Sequence, residues 1–344
     1  MLRDVLTSHR GVTQILFDGA GMNALLPGLA LEIWPQAALV PNYDAIEVVR
    51  VAKTPEELAA FRTAFRYSSQ AIASTLRWVK ASTGLADGTQ TTDPEFNTPL
   101  SESDLSRKIA DEYARQGALE LSFRTIAGSG ENSAVIHYST PNPTKHLRTG
   151  EIVLLDSGAY YAEGFATDCT RVVYCPGTNK EPQTWQKQIY TVTLKACIHG
   201  MMARFERSTP CRDLDAQIRG VVQHFGYDYA HGTGHGVGIH VHEAGIRLAV
   251  TSTYKFTEHA VVSIEPGIYL NGKGGVRIEN VAIVVPDPYT PGGLCFENLV
   301  YVGFDWDLIN LQLLDEREKR YLREYELACR QMGTAVTGCP LIDA

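Results

Sequence analysis

The spacing of hydrophobic residues along this chain changes from a helix-like to a strand-like pattern, and this succession occurs twice. Two stretches with apolar residues every three to four positions are followed by short, nearly continuous apolar runs, and the same succession then returns. The helix-like stretches cover about residues 55–80, 101–117, 182–205, 212–225 and 315–332. The strand-like runs lie within about 121–175 and 229–302. The pattern predicts two helices and a β-ribbon, twice, with one closing helix.

Local signals support the starts of the first two long helices. Residues 54–57 (TPEE) supply an N-cap, a proline at the first helical position and an acidic first turn, and residues 101–104 (SESD) open the second helix. Residues 83–99 are polar and rich in turn formers, which predicts a loop. Residues 1–47 alternate short apolar runs with Gly and Pro and predict part of a small α/β unit. We therefore place a domain boundary there, with the second domain covering 48–344.

The repeated order indicates two pseudo-equivalent halves, although the halves share no obvious sequence repeat. We expect the ribbons of both halves to meet in one curved sheet, with the helices outside and a cleft between the halves. The predicted fold class is α+β.

Composition excludes several classes of function. With 44% hydrophobic and 20% charged residues, the 344-residue chain has the composition of an ordinary globular protein, and its net charge of −8 argues against nucleic-acid binding. The apolar stretch 15–40 contains Asp18, Glu32, three glycines and two prolines, so no membrane span is expected. The start lacks the pattern of a secretory signal, and seven cysteines without a CxxC pair suit a reducing cytoplasm. We expect a cytoplasmic protein.

Five residues stand in the order and local contexts that a dinuclear metal site needs. They are Asp156, Asp168, His235, Glu265 and Glu279. Four carboxylates on one face of a sheet would repel one another and lose hydration unless divalent cations neutralised them. An oxygen-rich set with one imidazole favours Mn²⁺, with Co²⁺ or Zn²⁺ able to substitute, and this number of ligands suits two ions better than one.

The spacing of these ligands predicts two β-ribbons. Asp156 and Asp168 flank a turn at 162–164, so they can face each other across one ribbon, and Glu265 and Glu279 flank a second ribbon turned at 271–275. In HGTGHGVG (231–238) every second residue is glycine, which lets the strand approach metal or substrate closely. A phosphate-binding glycine loop is the weaker interpretation, because no GxGxxG register fits.

These motifs resemble those of the pita-bread metallopeptidases, and within that family they are most similar to the cytosolic Xaa-Pro aminopeptidases. The resemblance covers about residues 48–335 and rests on NSAVIHYSTP, LLDSGA, TDCTR, HGTGHGVG, HEAG, EPGIY and VRIEN. It implies hydrolysis of the bond before a proline in the second position of a peptide. It also implies that Asp156 binds one metal and His235 and Glu265 the other. Asp168 and Glu279 would bridge both.

The resemblance assigns further roles. Glu265 would shuttle a proton, while His137 and His242 would stabilise the oxyanion and guide the leaving proline nitrogen. His231 would line the proline pocket. Arg277 would orient a metal-binding carboxylate without itself binding a metal.

Some assignments and alternatives remain open. Tyr138 would either pack on the proline ring or be a core residue. A prolidase, which cuts only dipeptides and holds their free carboxylate with an arginine, is the nearest rival, with Arg247 as its candidate. A non-catalytic binding protein on the same fold is a different class of function. The relatives carry complete N-terminal domains that help them dimerise, whereas this chain has only about 47 residues there. The homodimer that we expect is therefore taken from the family and not from the residues of this chain.

Overall fold

The computed structural model describes residues 2–18, 22–23, 25–42, 49–82, 98–177 and 181–343. The boundary predicted between residues 47 and 48 and most of the loop predicted at 83–99 lie outside these residues, so both stay predictions. Within the described ranges, no helix combines the length and the apolar character needed to cross a bilayer.

The helices follow the order that the periodicity predicts. They are α1 Leu2–Ser8, α2 Leu25–Ile33, α3 Pro55–Ala81, α4 Glu102–Arg115, α5 Thr184–Met201, α6 Cys211–His224, α7 Glu316–Gln331 and α8 Pro340–Asp343. Thr54 and Ser101 form capping boxes with Glu57 and Asp104, which explains why α3 and α4 begin where the sequence indicates. The helix predicted to reach residue 205 ends earlier, because Phe205 pairs with Leu294 in a sheet.

The strands fall into the two predicted groups. They are β1 Gln14–Phe17, β2 Ala38–Pro41, β3 Glu120–Leu121, β4 Ile126–Ser129, β5 Ile152–Ser157, β6 Ala159–Tyr160, β7 Cys169–Tyr174, β8 Phe205–Glu206, β9 Gly234–Gly236, β10 Glu243–Leu248, β11 Val261–Ile264, β12 Gly267–Leu270, β13 Gly274–Arg277, β14 Asn280–Pro286 and β15 Gly293–Asn298. The first half contains the sheet β4-β5-β7, and the second contains the sheet β10-β9-β11-β14-β15-β8. Strands β1 and β2 pair in parallel near the start of the chain.

The central strands are buried on both faces, which explains their continuous apolar runs. In β5, Leu154 packs in a core with α5, α6 and α7, whereas Leu155 packs in a second core with α3 and α4. Alternate side chains of a strand point to opposite faces, so the sheet lies between two layers of helices. The halves meet where the Glu279 N–H donates to the Thr170 carbonyl (3.2 Å). The predicted duplicated α+β arrangement is confirmed.

Candidate metal centre

The first pair of carboxylates comes from the ribbon formed by β5 and β7. Asp156 pairs with Thr170, and Asp168 precedes Thr170 by two residues. The two aspartates therefore lie on the same face of the ribbon, but diagonally. They face each other across the ribbon at a diagonal, because the register pairs Ser157 with Cys169.

The second pair lies at a break between two ladders. Ile264 pairs with Asn280, and Gly267 pairs with Arg277, so the two ladders keep one register. This register places Glu265 opposite Glu279 in the gap between them. Both residues lie outside the regular ladders, and the Glu279 N–H donates instead to the Thr170 carbonyl of the first ribbon (3.2 Å).

His235 lies at the centre of β9, between β10 and β11. A Cβ on Gly234 would come within 1.9 Å of the Ser263 carbonyl oxygen, and one on Gly236 within 2.7 Å of the Glu243 carbonyl oxygen. These two glycines therefore allow close approach to neighbouring strands, and the close approach to metal or substrate stays a prediction. Because these glycines have no side chains, the His235 backbone can lie close to both neighbouring strands.

The five predicted ligands converge. Donor atoms of Asp168, His235 and Glu279 all lie within 4.8 Å of one another. His235 Nε2 is 3.3 Å from Glu265 Oε1 and 3.6 Å from Asp168 Oδ2. Asp156 joins the group through Arg277, whose Nη2 donates to Asp156 Oδ2 at 2.5 Å.

The donor set has the features of an acceptor for cations. Asp156 Oδ1 and Glu279 Oε1 are buried without a hydrogen-bond partner among the described residues. The Nδ1–H of His235 donates to the Gly236 carbonyl (3.0 Å), which leaves the Nε2 lone pair directed toward the carboxylates. Free lone pairs on two buried carboxylates and one imidazole are what a divalent metal ion requires. The residues present therefore fit a metal centre.

The protonation of these groups is strongly shifted. Burial raises the pKa of Asp168 well above its usual range, and the charges of Glu279 and Asp156 raise it further. Burial, followed by repulsion from Glu265, likewise raises the pKa of Glu279 well above its usual range. Burial also raises the pKa of Glu265 and lowers that of His235. Without cations the site favours protonated carboxyl groups, so metal and protons compete for it.

The carboxylates open into a cavity of about 760 Å³. His137, His231, His242 and Arg277 line this cavity together with all five predicted ligands. The ring of His242 lies 4.0 Å from that of His235, centroid to centroid. The structure therefore brings nine of the ten residues predicted for the site to one cavity.

Tyr138 is the exception. Its hydroxyl donates to Glu102 at 2.7 Å, and its ring packs against the core instead of lining the cavity. This position matches the core-residue alternative, and contact with a proline ring stays a prediction.

A hydrogen-bonded chain that the sequence reasoning missed joins Arg277 to His231. Arg277 Nη1 donates to the Tyr269 hydroxyl (2.9 Å), which lies 2.9 Å from His231 Nε2. Because His231 Nδ1 donates to the Gly232 carbonyl (2.8 Å), Nε2 accepts from Tyr269. Tyr269 belongs to the EPGIY motif, so its proximity to the ligands was visible in the sequence although its partner was not.

Thr170 and Arg171 were also missed. The Thr170 hydroxyl donates to Glu279 Oε2 at 2.9 Å. Arg171 is 1% exposed and donates to the Glu279 carbonyl (2.5 Å), the Asn280 side-chain oxygen (2.7 Å) and the Val302 carbonyl (3.1 Å). Both residues fix a ligand that lies more than 100 residues later in the chain, and no local pattern predicts such a contact.

The fold and the site together have the features of the pita-bread metallopeptidase family. Residues 59–286 match the model of metallopeptidase family M24, and the chain belongs to that family. Among curated proteins, it is 33% identical to Xaa-Pro aminopeptidase 2 of Sus scrofa over 87% of this chain and 43% of that protein. It is 38% identical to a probable Xaa-Pro aminopeptidase P of Laccaria bicolor over 60% of this chain and 33% of that protein. The chain thus spans less than half the length of these relatives.

Solved structures of two related enzymes have the same fold. The chain resembles the X-prolyl aminopeptidase of Caenorhabditis elegans, described as a cytosolic enzyme with a di-nuclear active site, with a TM-score of 0.79 and 24% identity over 96% of this chain and 53% of that one. It resembles a Xaa-Pro dipeptidase from Bacillus anthracis with a TM-score of 0.72 and 27% identity over 88% of this chain and 77% of that one.

Proposed function

We propose that this protein is a metallo-aminopeptidase that releases the N-terminal residue from peptides with proline in the second position. The observation that carries the proposal is the convergence of five metal-ligating side chains and three further histidines on one cavity of about 760 Å³. The curated relatives with Xaa-Pro aminopeptidase names support the same activity.

Two divalent cations complete the proposed site, and the oxygen-rich donor set favours Mn²⁺, with Co²⁺ or Zn²⁺ as substitutes. Asp156 would hold one ion, His235 and Glu265 the other, and Asp168 and Glu279 would contact both. When bound, such ions acidify water and polarise the scissile carbonyl.

The chain's own residues supply the remaining steps. Glu265 takes a proton from the attacking water and passes it on, a role that its raised pKa suits. His242 and His137, which line the same cavity as the carboxylates, donate to the oxyanion and to the leaving nitrogen. His231 is held in one tautomer by Tyr269 and Gly232, and it presents its ring edge to the proline. Arg277 keeps Asp156 oriented.

The test is hydrolysis of a short Xaa-Pro-Xaa peptide series in added Mn²⁺, with Glu265→Gln as the disabled variant. We expect wild-type cleavage only before proline and a loss of at least about 10²-fold in Glu265→Gln, since a general acid/base group is removed. Glu297→Gln, at an exposed pair with Arg62, is the matched control and should keep full activity. Absence of bound metal together with no cleavage would favour the non-catalytic alternative.

A dipeptidase remains the second candidate, because Arg247 pairs with His235 in the sheet and lines the cavity. The guanidinium of Arg247 makes no ion pair within the described part of the chain, so it is free to hold a substrate carboxylate. Comparing Xaa-Pro with Xaa-Pro-Xaa and longer peptides separates the two activities. An aminopeptidase cleaves the longer peptides at least as well, and Arg247→Met changes that little. A dipeptidase cleaves only Xaa-Pro and loses binding in Arg247→Met.

The wider setting is also part of the proposal. We place a catalytic domain at 48–344 after a partial α/β segment, in a cytoplasmic protein that forms a homodimer. The relative described as cytosolic supports the location.

A further inference from the structure

A buried carboxylate outside the metal centre has an unusual set of partners. Glu102, the first residue of α4, is 0% exposed. Its Oε1 accepts from the Ser129 amide (2.8 Å) and the Asn132 side-chain amide (2.9 Å). Its Oε2 accepts from the Tyr138 hydroxyl (2.7 Å) and the Asn142 amide (3.1 Å). All four partners donate, so both oxygens act as acceptors and the carboxylate is fully hydrogen-bonded.

No ion pair to Glu102 occurs within the described residues, although most buried carboxylates are paired with a cation. Its place in the first turn of a helix favours a negative charge, and the four hydrogen bonds offset the lost hydration. All four donors belong to a single segment, residues 129–142. The carboxylate therefore organises one loop, which we call the His137 segment.

The opposite side of this segment rests on the metal centre. The Gly275 amide donates to the Ser133 hydroxyl (2.8 Å), and a Cβ on Gly275 would come within 2.5 Å of the Ser133 carbonyl oxygen. The Ile136 carbonyl accepts from Arg277 (3.3 Å). The segment is thus held between Glu102 on one side and β13 on the other, with His137 in its middle.

His137 depends on this support. Within the described chain its imidazole makes no hydrogen bond, yet it lines the cavity. A side chain without polar partners takes its position from its backbone and from packing, and Asn132 and Tyr138 on either side are both tied to Glu102. Burial and the Glu102 carboxylate raise the pKa of Tyr138 to about 12, so its hydroxyl stays a donor across the working pH range.

We infer that Glu102 is a positioning residue that fixes the His137 segment so that the His137 imidazole faces the substrate. This inference deepens the proposed function and rests on it. In Glu102→Gln the side-chain NH₂ group would face two of the four donors and could not accept their hydrogen bonds. About half of the hydrogen bonds to this side chain would therefore be lost, while its size and shape stay the same. The imidazole would then be misplaced, and misplacements near 1 Å cost up to about 10²-fold in rate.

The kinetic test is a double-mutant cycle between Glu102→Gln and His137→Ala. We expect Glu102→Gln to lower kcat about 10-fold with metal affinity unchanged, and to lower it by less than about twofold when His137 is already alanine. Tyr138→Phe, which removes one donor and keeps the ring, should show a smaller loss with the same dependence on His137. If the losses simply multiply, Glu102 does not act through His137 and the inference is wrong.

Hydrogen exchange provides a test that does not require activity. We expect amides of residues 129–142 to exchange faster in Glu102→Gln but not in Glu112→Gln, which removes another buried carboxylate of α4 paired with Lys108 and Arg115. Unchanged exchange in Glu102→Gln would overturn the inference. A wild-type protein without Xaa-Pro cleavage would refute the proposed function instead, and the exchange comparison alone would then decide whether Glu102 holds the segment.

Discussion

Metal binding should stabilise this protein strongly near pH 8 and weakly near pH 6. The pKa values of Asp168, Glu265 and Glu279 are raised in the folded chain. A raised carboxyl pKa contributes stability that is present at low pH and is lost as pH rises from the ordinary carboxyl range to the folded pKa. Cations need the deprotonated forms, so metal stabilisation grows over the same window in which the proton-linked stability is lost.

The magnitude follows from the linkage. If each ion displaces about one proton, its apparent affinity falls about 10-fold for each unit by which the pH is lowered. Mn²⁺ at about 100 times its dissociation constant near pH 8 then adds about 2.7 kcal/mol, and the same concentration near pH 6 adds about 0.4 kcal/mol. For 344 residues with an unfolding entropy of about 2.1 cal/mol/K each, those values correspond to increases in Tm of about 4 °C and about 0.6 °C for each bound ion.

The assay is thermal unfolding with Mn²⁺ or chelator at both pH values, together with calorimetric titration in two buffers of different ionisation enthalpy to count released protons. Glu279→Gln should lose most of the metal effect, whereas Glu297→Gln, which alters an exposed carboxylate, should keep it. An equal rise in Tm at both pH values, or no proton release near pH 6, would refute the reasoning.

Two further substitutions test the packing that supports the site. Gly234→Ala would place a Cβ within 1.9 Å of the Ser263 carbonyl oxygen, so we expect the free energy of unfolding in urea to fall by about 3 kcal/mol or more. The control is Gly220→Ala, whose Cβ would meet nothing within 4 Å and which should be neutral or stabilising by up to about 1 kcal/mol. Arg171→Met would remove the five hydrogen bonds that the buried guanidinium donates and should cost about 3 kcal/mol or more, against at most about 1 kcal/mol for the exposed Arg62→Met. A loss below about 1 kcal/mol for either buried change would refute the packing argument for that residue.

The order of the elements was predictable because its causes are local. Apolar periodicity and the capping boxes at Thr54 and Ser101 depend on residues a few positions apart. The helix predicted at 182–205 shows where this fails: its last turn is replaced by the pairing of Phe205 with Leu294, a contact that local propensity does not contain.

The candidate site divides in the same way. The sequence by itself determined which carboxylates and histidines belong together, since the ligands lie in recognisable motifs with suitable spacing. Only the tertiary structure decided the diagonal register of Asp156 and Asp168, the hydrogen bond from Thr170 to Glu279 and the attachment of Tyr138 to Glu102. These contacts depend on pairing between strands and loops that are up to 109 residues apart. Many registers satisfy the same apolar pattern until the whole sheet and both of its helical layers are packed.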